Sequence, residues 1–200
     1  MQQNMKNKLI AVDMDEVLLE TAKGLLNFYN YTFAEKPIQY NDIIRYNFET
    51  IPGYETTVEY AVEYFMNFLE SSEAKNILPV QWAKDKLNYL KSLGYKFVII
   101  TGRAEKLEHI SREYIKKHYP NIFEEMYFCG YYTENQKDKY TVCQELGITT
   151  IIEDHLENSI KYAQQGIEVI LLDKPRNQDY NPQIHKHITK VKSWDEITLG

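Results

Sequence analysis

The chain has 200 residues, of which 44% are hydrophobic and 26% charged, and its formal net charge is −6. This composition indicates a folded globular protein of one domain, with room for an inserted subdomain, and argues against disorder. The negative charge argues against a nucleic-acid polymer as partner, because such partners select basic surfaces. No apolar run approaches the ~20 residues that cross a bilayer. Two cysteines, Cys129 and Cys143, make no disulfide framework. We therefore expect a cytoplasmic protein without membrane contact.

The first predicted element is a short buried strand over residues 8–12, which ends in two carboxylates, Asp13 and Asp15. The carboxyl ends of strands in open α/β sheets face the ligand crevice. Two carboxylates ~4 Å apart repel each other by about 4 kcal/mol at an effective dielectric of ~20. A proton or a divalent cation relieves such repulsion, and Mg²⁺ suits oxygen ligands best. The alternative is a pair of loop acids, one of which caps the next helix.

Residues 18–78 contain no convincing strand and predict a helical subdomain inserted after the first strand. Apolar residues recur at helical spacing over residues 17–31 and 57–69. Aromatic residues are frequent here, and they either build the core of the subdomain or stack on a nucleobase. The candidates for base contacts are Tyr46, Phe48, Phe65 and Phe68.

From residue 79 onward, helical and strand patterns alternate, which predicts a parallel sheet between helices. A helix is predicted over residues 81–93, a weaker strand over residues 126–129, and a loop-like tail whose residues 193–197 dock on the domain. Three predicted strands follow helix-terminating glycines, and each ends in a polar residue seven positions after its glycine. These pairs are Gly94 and Thr101, Gly147 and Asp154, and Gly166 and Asp173. We expect the three polar residues to lie at one edge of the sheet.

Two of these strand ends allow a structural and a functional interpretation. Thr101 either caps a helix or, together with Gly102, binds a phosphate oxygen through its hydroxyl and free backbone N–H groups. Asp154 either caps the next helix with Glu157 or provides a metal ligand near the first strand.

The acid pair could carry out phosphoryl transfer. Asp13 could attack phosphorus and form an aspartyl-phosphate, while Asp15 protonates the leaving oxygen and later deprotonates water. A lysine facing the pair would offset the negative charge, and Lys137 and Lys139 are both candidates.

The order of these residues resembles the four motifs of the haloacid dehalogenase (HAD) superfamily of phosphatases. The motif residues are Asp13-Met14-Asp15, Thr101, Lys139 and Glu153-Asp154. The resemblance implies a Rossmann-like three-layer α/β core over residues 1–17 and 79–200, with a cap subdomain over residues 18–78. It makes Asp13 the nucleophile and Asp15 the acid/base. It also implies that Thr101 contacts phosphate, that Lys139 balances charge, and that Mg²⁺ is bound by Asp13, Asp154 and the Asp15 backbone carbonyl.

Within this superfamily, the chain is most similar to the 5′(3′)-deoxyribonucleotidases. The shared segments are Asp13-Met14-Asp15-x-Val17-Leu18, Gly24-Leu25-Leu26, Ile77-Leu78-Pro79, Asp138-Lys139 and Ser193-Trp194. Two positions depart from that family: Glu16 replaces a usual glycine, and Glu20-Thr21 replaces an acid often followed by an aromatic residue. The resemblance implies Mg²⁺-dependent hydrolysis of a deoxyribonucleoside monophosphate. The alternatives are a sugar phosphate or other metabolite as substrate, or a non-catalytic phosphorylation switch. The sequence leaves open whether the chain acts alone or as a homodimer.

Overall fold

The computed structural model describes residues 8–32, 35, 37–46, 56–131 and 133–200. Its strands are β1 (Leu9–Val12), β2 (Lys96–Thr101), β3 (Phe123–Phe128), β4 (Thr150–Glu153), β5 (Glu168–Leu172) and β6 (Ile188–Val191). They form one sheet in the order β3-β2-β1-β4-β5-β6, and every neighbouring pair is parallel. The strand β1 therefore lies in the interior of the sheet, between β2 and β4.

The helices are α1 (Thr21–Thr32), α2 (Val58–Glu70), α3 (Ala83–Ser92), α4 (Glu108–His118), α5 (Lys139–Glu145) and α6 (Leu156–Gln164). Successive residues of a strand face opposite sides of a sheet, and β1 shows this clearly. Ile10 and Val12 join the core under α3 and α4, whereas Ala11 joins the core under α5 and α6. This arrangement confirms the predicted three-layer α/β class. None of the helices in the described part of the chain is long and apolar enough to span a membrane.

The strand ends lie where the glycine pattern predicts. The three glycines have left-handed φ angles, 98° at Gly94, 65° at Gly147 and 81° at Gly166. Thr101 is the last residue of β2, and Asp154 directly follows β4. Since parallel strands share one carboxyl edge, these residues lie on the same edge as Asp13.

The C-terminal tail contains a strand that the sequence pattern did not predict. The strand β6 pairs with β5 along its full length. Its four residues, Ile-Thr-Lys-Val, lie among polar neighbours, and the alternation of apolar and polar residues is too short to predict a strand. The predicted docking of residues 193–197 is confirmed. Trp194 is fully buried, and its indole Nε1 donates a hydrogen bond of 2.8 Å to the Val17 carbonyl.

The segment between β1 and α3 is helical, as predicted, among its described residues. Part of it forms a separate small core in which Tyr29 of α1 packs with Ile43. Another part joins the main core, because Leu25 and Phe68 pack there. The division of the chain into a core and a cap over residues 18–78 stays a prediction.

Candidate active site

Asp13 occupies the end of the interior strand. Its backbone N–H donates to the Ile152 carbonyl of β4 at 2.9 Å, which continues the strand pairing through this residue. Lys139 begins α5, whose N-terminus is capped by the Asp138 side chain. The Nζ atom of Lys139 lies 2.7 Å from Asp13 Oδ1, and both side chains are nearly buried. The structure therefore brings Lys139 to the acid, whereas Lys137 is exposed.

Burial and charge act in opposite directions on this pair. Burial raises the pKa of Asp13 to about 6, with Lys139 lowering it and Asp154 adding to the rise. Burial also lowers the pKa of Lys139, but Asp13 and Glu153 outweigh that effect, so its pKa lies well above the usual range. Lys139 therefore stays protonated and supplies a fixed positive charge beside the candidate nucleophile.

Asp15 is held by an arginine that follows the second motif. Arg103 donates two hydrogen bonds to the Asp15 carboxylate, from Nε to Oδ2 at 3.0 Å and from Nη2 to Oδ1 at 2.7 Å. The remaining nitrogen, Nη1, donates to the Ser111 hydroxyl at 3.1 Å. The Thr21 hydroxyl donates to Oδ1 at 2.5 Å. Burial raises the pKa of Asp15, but Arg103 and Thr21 lower it more, so the net pKa is below the usual value. The side chain is 28% exposed and reaches the cavity described below.

Three carboxylates meet beside Asp13. One carboxylate oxygen from each of Asp13, Glu153 and Asp154 lies within 4.8 Å of the other two. Glu153 is fully buried, and neither of its carboxylate oxygens has a hydrogen-bond partner among the described residues. Three hard oxygen donors, one of them unsatisfied, fit a divalent cation such as Mg²⁺. The Asp15 side chain lies outside this cluster because it pairs with Arg103, which leaves its backbone carbonyl as the predicted ligand.

The two interpretations of Thr101 and Asp154 as helix caps are wrong. Thr101 ends β2, and α4 starts only at Glu108, after a 3-10 turn. The helix α6 is capped by His155, which leaves Asp154 free to face the cluster. The Thr101 hydroxyl is fully buried and accepts from the Arg103 N–H at 3.2 Å.

Gly102 forms part of the cavity wall, directly beneath an aromatic ring. A Cβ atom at this position would lie 3.1 Å from Cδ2 of Tyr131. A side chain at this position would therefore require the Tyr131 ring to shift slightly, whereas glycine lets the ring approach closely.

A cavity of about 650 Å³ opens over this edge of the sheet. Its polar part contains Asp13, Asp15, Lys139 and Asp154. The helix α2 provides an apolar wall, formed by Val58, Ala61, Val62, Phe65, Met66 and Leu69. Exposed cations also line the cavity, namely Arg45, Lys106 and Lys161. The cavity thus joins a charged reaction centre to an apolar surface.

The four aromatic candidates for base contacts have different environments. Phe65 lines the cavity. Phe68 is fully buried and packs on Phe28 at 5.6 Å between ring centroids, so it belongs to the core and not to the cavity. Tyr46 lines the cavity, but its hydroxyl donates to the Asp154 carbonyl and its ring stacks on His155. Phe48 lies outside the described residues.

Two arginines of the site were not predicted. Arg103 directly follows Thr101-Gly102, and Arg176 lies in the loop after β5, with Nη2 2.8 Å from Asp154 Oδ2. Arg103 lies two residues after the end of β2, so the strand-end rule that identified Asp154 could have pointed to it, whereas Arg176 lies farther from the end of its strand. Asp173 lies at the same edge but is exposed and pairs with Lys190 at 2.7 Å, outside the cavity lining.

Solved structures with the same fold include several phosphatases. A haloacid dehalogenase-like hydrolase, SP0104 from Streptococcus pneumoniae, has a TM-score of 0.64 at 17% identity, over 83% of this chain and 84% of that chain. A predicted phosphoglycolate phosphatase from Haemophilus somnus 129PT has a TM-score of 0.63 at 17% identity, over 97% and 96%. CbbY from Rhodobacter sphaeroides, in complex with phosphate, has a TM-score of 0.62 at 16% identity, over 94% and 95%. At these identities the similarity shows the fold alone.

Sequence comparison identifies the family. No protein of curated function matches the chain significantly. The model of one family, described as 5′ nucleotidase, deoxy (pyrimidine), cytosolic type C protein (NT5C), matches residues 7–199. Because this match spans nearly the whole chain, the chain belongs to the NT5C family and is a HAD superfamily phosphatase close to the 5′-nucleotidases.

Proposed function

We propose that the chain is a Mg²⁺-dependent phosphatase that hydrolyses deoxyribonucleoside monophosphates through an aspartyl-phosphate on Asp13. The observation that carries this proposal is the environment of Asp13. Its carboxylate ends the interior strand, lies 2.7 Å from Lys139, and opens into a cavity with an apolar opposite wall. The family match supports a nucleotide as the substrate. We assign residues 18–78 to a cap that closes over the cavity and residues 1–17 and 79–200 to the core.

In the first step, an Asp13 oxygen attacks phosphorus and the bond from phosphorus to the leaving ribose oxygen breaks. Asp15 donates its proton to that leaving oxygen. Arg103 and Thr21 orient the Asp15 carboxyl group, although both also favour its ionised form. A dianionic phosphoryl group beside Asp15 raises its pKa by like-charge repulsion, which supports proton uptake when substrate binds.

In the second step, a water molecule attacks the phosphorus of the aspartyl-phosphate and Asp15 accepts its proton. The bond to Asp13 breaks, and inorganic phosphate leaves. Lys139 remains charged in both steps and offsets the negative charge that builds up between Asp13 and the phosphoryl group. Mg²⁺, held by Asp13, Asp154 and the Asp15 carbonyl, would supply further positive charge that lets an anionic nucleophile approach an anionic ester.

The α2 wall supports a substrate with an apolar, planar part. Phe65 and its apolar neighbours on α2 face the cavity, and the Tyr131 ring also lines it. Stacking on an aromatic side chain stabilises a bound base by about 1–3 kcal/mol. A base between these surfaces would leave its phosphate at the polar end of the cavity, near Asp13.

A second candidate keeps the same chemistry but takes a sugar phosphate or another metabolite. The exposed cations Arg45 and Lys161 favour it, because they could bind a second anionic group, whereas Lys106 is already paired with Glu70 at 2.6 Å. Two structural neighbours carry such names, a predicted phosphoglycolate phosphatase and a mutant of CbbY in complex with xylulose-(1,5)bisphosphate.

A panel of phosphate esters tests both candidates. Phosphate release should be measured from deoxyribo- and ribonucleoside 5′- and 3′-monophosphates, sugar phosphates and phosphoglycolate, each with Mg²⁺ and with a chelator. We expect kcat/KM to be at least about tenfold higher for a deoxyribonucleotide than for any other ester, and release to stop with the chelator. Equal or higher rates on sugar phosphates would favour the second candidate. A protein inert toward every ester would instead support a non-catalytic phosphorylation switch.

A further inference from the structure

We propose that Arg176 is a positioning residue for the metal site, and that Glu16 holds Arg176 in place, an inference that rests on the proposed binding of Mg²⁺ by Asp154. Arg176 would keep one oxygen of the Asp154 carboxylate occupied, so that the other oxygen points to the cation. Neither residue is part of the four motifs that assign the site from the sequence.

The contacts of Asp154 are divided between its two oxygens. Arg176 Nε and Nη2 both donate to Oδ2, at 3.1 Å and 2.8 Å. No described residue donates a hydrogen bond to Oδ1, which is left for a ligand. The Asp154 backbone is also fixed, because its carbonyl accepts from Asn177 Nδ2 at 2.8 Å and from the Tyr46 hydroxyl. Arg176 is thus the contact that sets the rotation of the carboxylate.

Arg176 is itself held in a closed environment. Its side chain is 8% exposed, and its guanidinium carbon lies 5.0 Å from the centroid of the Tyr46 ring. Nη2 lies 3.7 Å from Glu16 Oε2, so the guanidinium lies between two carboxylates. Burial lowers the pKa of Arg176, but Asp154 and Glu16 raise it more, so the side chain stays charged. A buried guanidinium is stable only when its charge is matched in this way.

Glu16 occupies a backbone position that favours glycine. Its φ is 62°, in the left-handed region, where a side chain is disfavoured. The Glu16 side chain is nonetheless 3% exposed, and its carboxylate is well bonded. Oε1 accepts from the Ala22 N–H and Oε2 from the Tyr40 hydroxyl, both at 2.7 Å. These contacts offset the strain of a non-glycine residue, and they leave the Glu16 charge to be matched by Arg176.

Two effects of removing Arg176 on metal binding oppose each other. A lost positive charge favours cation binding, whereas a lost hydrogen-bond partner lets Asp154 rotate away. When the exposed side chains Arg45, Lys106, Glu157 and Lys161 are left out, the cavity lining has five carboxylates against three cations, so its interior attracts a divalent ion with or without Arg176. The carboxylates are Asp13, Asp15, Glu16, Glu153 and Asp154, and the cations are Arg103, Lys139 and Arg176. We therefore expect orientation to dominate, as with other outer-sphere partners, whose removal weakens metal binding by about 10–100-fold.

The test is a metal titration without substrate. Mn²⁺ suits the same oxygen ligands as Mg²⁺ and is titrated into the metal-free protein. Electron paramagnetic resonance measures the free Mn²⁺. Mg²⁺ is then added as a competitor, which gives its Kd. Arg176→Met should raise the Kd for Mn²⁺ and for Mg²⁺ about tenfold or more. Arg176→Lys, which keeps the charge but not the two-nitrogen contact, should fall between wild type and Arg176→Met. The control is Arg112→Met, since Arg112 is an exposed arginine of α4 with two carboxylate partners, and its Kd should equal that of wild type.

A double variant separates folding from positioning. Arg176→Met leaves Glu16 buried without a cation, so its melting temperature should fall. Adding Glu16→Gln removes that charge and should recover the melting temperature, while the Kd stays raised. An unchanged or lower Kd in Arg176→Met, or recovery of the Kd in the double variant, would overturn the inference and leave the proposed function standing. A wild-type protein that binds neither ion would overturn the proposed metal site and this inference with it.

Discussion

The carboxyl edge of the sheet and the α2 wall face each other across one cavity but differ in how they are built. At the edge, Asp13, Lys139 and Asp154 are buried, and each is matched by an opposite charge. On the wall, Val62, Phe65 and their neighbours present apolar surface, partly exposed, with no charge to balance. Under the proposed function, the edge carries out the reaction, whereas the wall selects which ester binds.

The two regions should therefore tolerate substitution unequally. Removing one charge at the edge leaves its partner buried and unmatched, which affects both stability and chemistry. Removing a partly exposed apolar side chain from the wall should cost contact area with the substrate and a smaller amount of core packing.

Asp13→Asn should have the largest effect. An amide cannot form the aspartyl-phosphate, so we expect kcat to fall by about 10⁴-fold or more. The fold should survive, because the amide oxygen still accepts a hydrogen bond from Lys139. Phosphate release and the melting temperature check both points, with Asp179→Asn, an exposed aspartate, as control. Retained turnover in Asp13→Asn would remove this residue as nucleophile.

Lys139→Met should come next. It removes the ammonium group that lies 2.7 Å from Asp13 and 3.7 Å from Glu153. Two buried carboxylates then lose the positive charge that Lys139 provides. We expect a loss of about 3 kcal/mol in the free energy of unfolding of the metal-free protein. We also expect a fall in kcat of about 10²–10³-fold. Urea denaturation and phosphate release measure these effects. The exposed Lys137→Met is the matched control, and equal losses in both variants would contradict the assignment.

Two phenylalanines of α2 test the wall. Phe65→Ala should raise the KM for a nucleotide about tenfold, because base stacking contributes about 1–3 kcal/mol, with kcat nearly unchanged. It should lower the free energy of unfolding less than Phe68→Ala does, because Phe65 is only partly buried against the core. Phe68→Ala should leave KM unchanged and lower the free energy of unfolding by about 3–5 kcal/mol, since this ring fills the core. Steady-state kinetics and denaturation curves separate the two results. A KM change in Phe68→Ala and none in Phe65→Ala would show that the wall is wrongly assigned.

The smallest effect concerns His118, which belongs to neither region and lies at the end of α4 against the Tyr114 ring. Burial lowers its pKa, and Lys117 and Lys84 lower it further. The unfolded chain therefore binds the proton more readily, so stability falls as the pH drops below about 6.5. The contribution should be below about 1 kcal/mol, because the ring is partly exposed.

Urea denaturation at pH 7.5 and pH 5.0 measures this contribution. The loss of stability between the two pH values should be smaller in His118→Gln than in wild type. Identical losses in both proteins would show that other groups account for the pH dependence.

The points where the buried strands end allowed several polar residues of the carboxyl edge to be predicted from the sequence. Asp13 and Asp154 follow buried strands, and one carboxyl edge collects such residues in any parallel sheet. The cap interpretation of Thr101 failed because the sequence does not show that a 3-10 turn delays α4 until Glu108. Arg176 was missed because the pattern of a polar loop does not indicate which of its side chains turns inward.

The wall was less predictable for a related reason. Helical spacing shows that Phe65 and Phe68 share a side of α2, three residues apart. It does not show which of them meets the neighbouring helix, and the packing of Phe68 on Phe28 decides that only in the folded chain. The departure at Glu16 was visible in the sequence, but its partners, Tyr40 and Arg176, come from distant segments.

The hydrogen bond from the Trp194 indole to the Val17 carbonyl joins residues 177 positions apart. Val17 follows directly on the loop that carries Asp13 and Asp15, the two candidate catalytic acids, so this support of the loop forms only after residue 194 has been synthesised. A chain shortened before residue 194 would therefore carry all the motif residues but lack this hydrogen bond behind the loop.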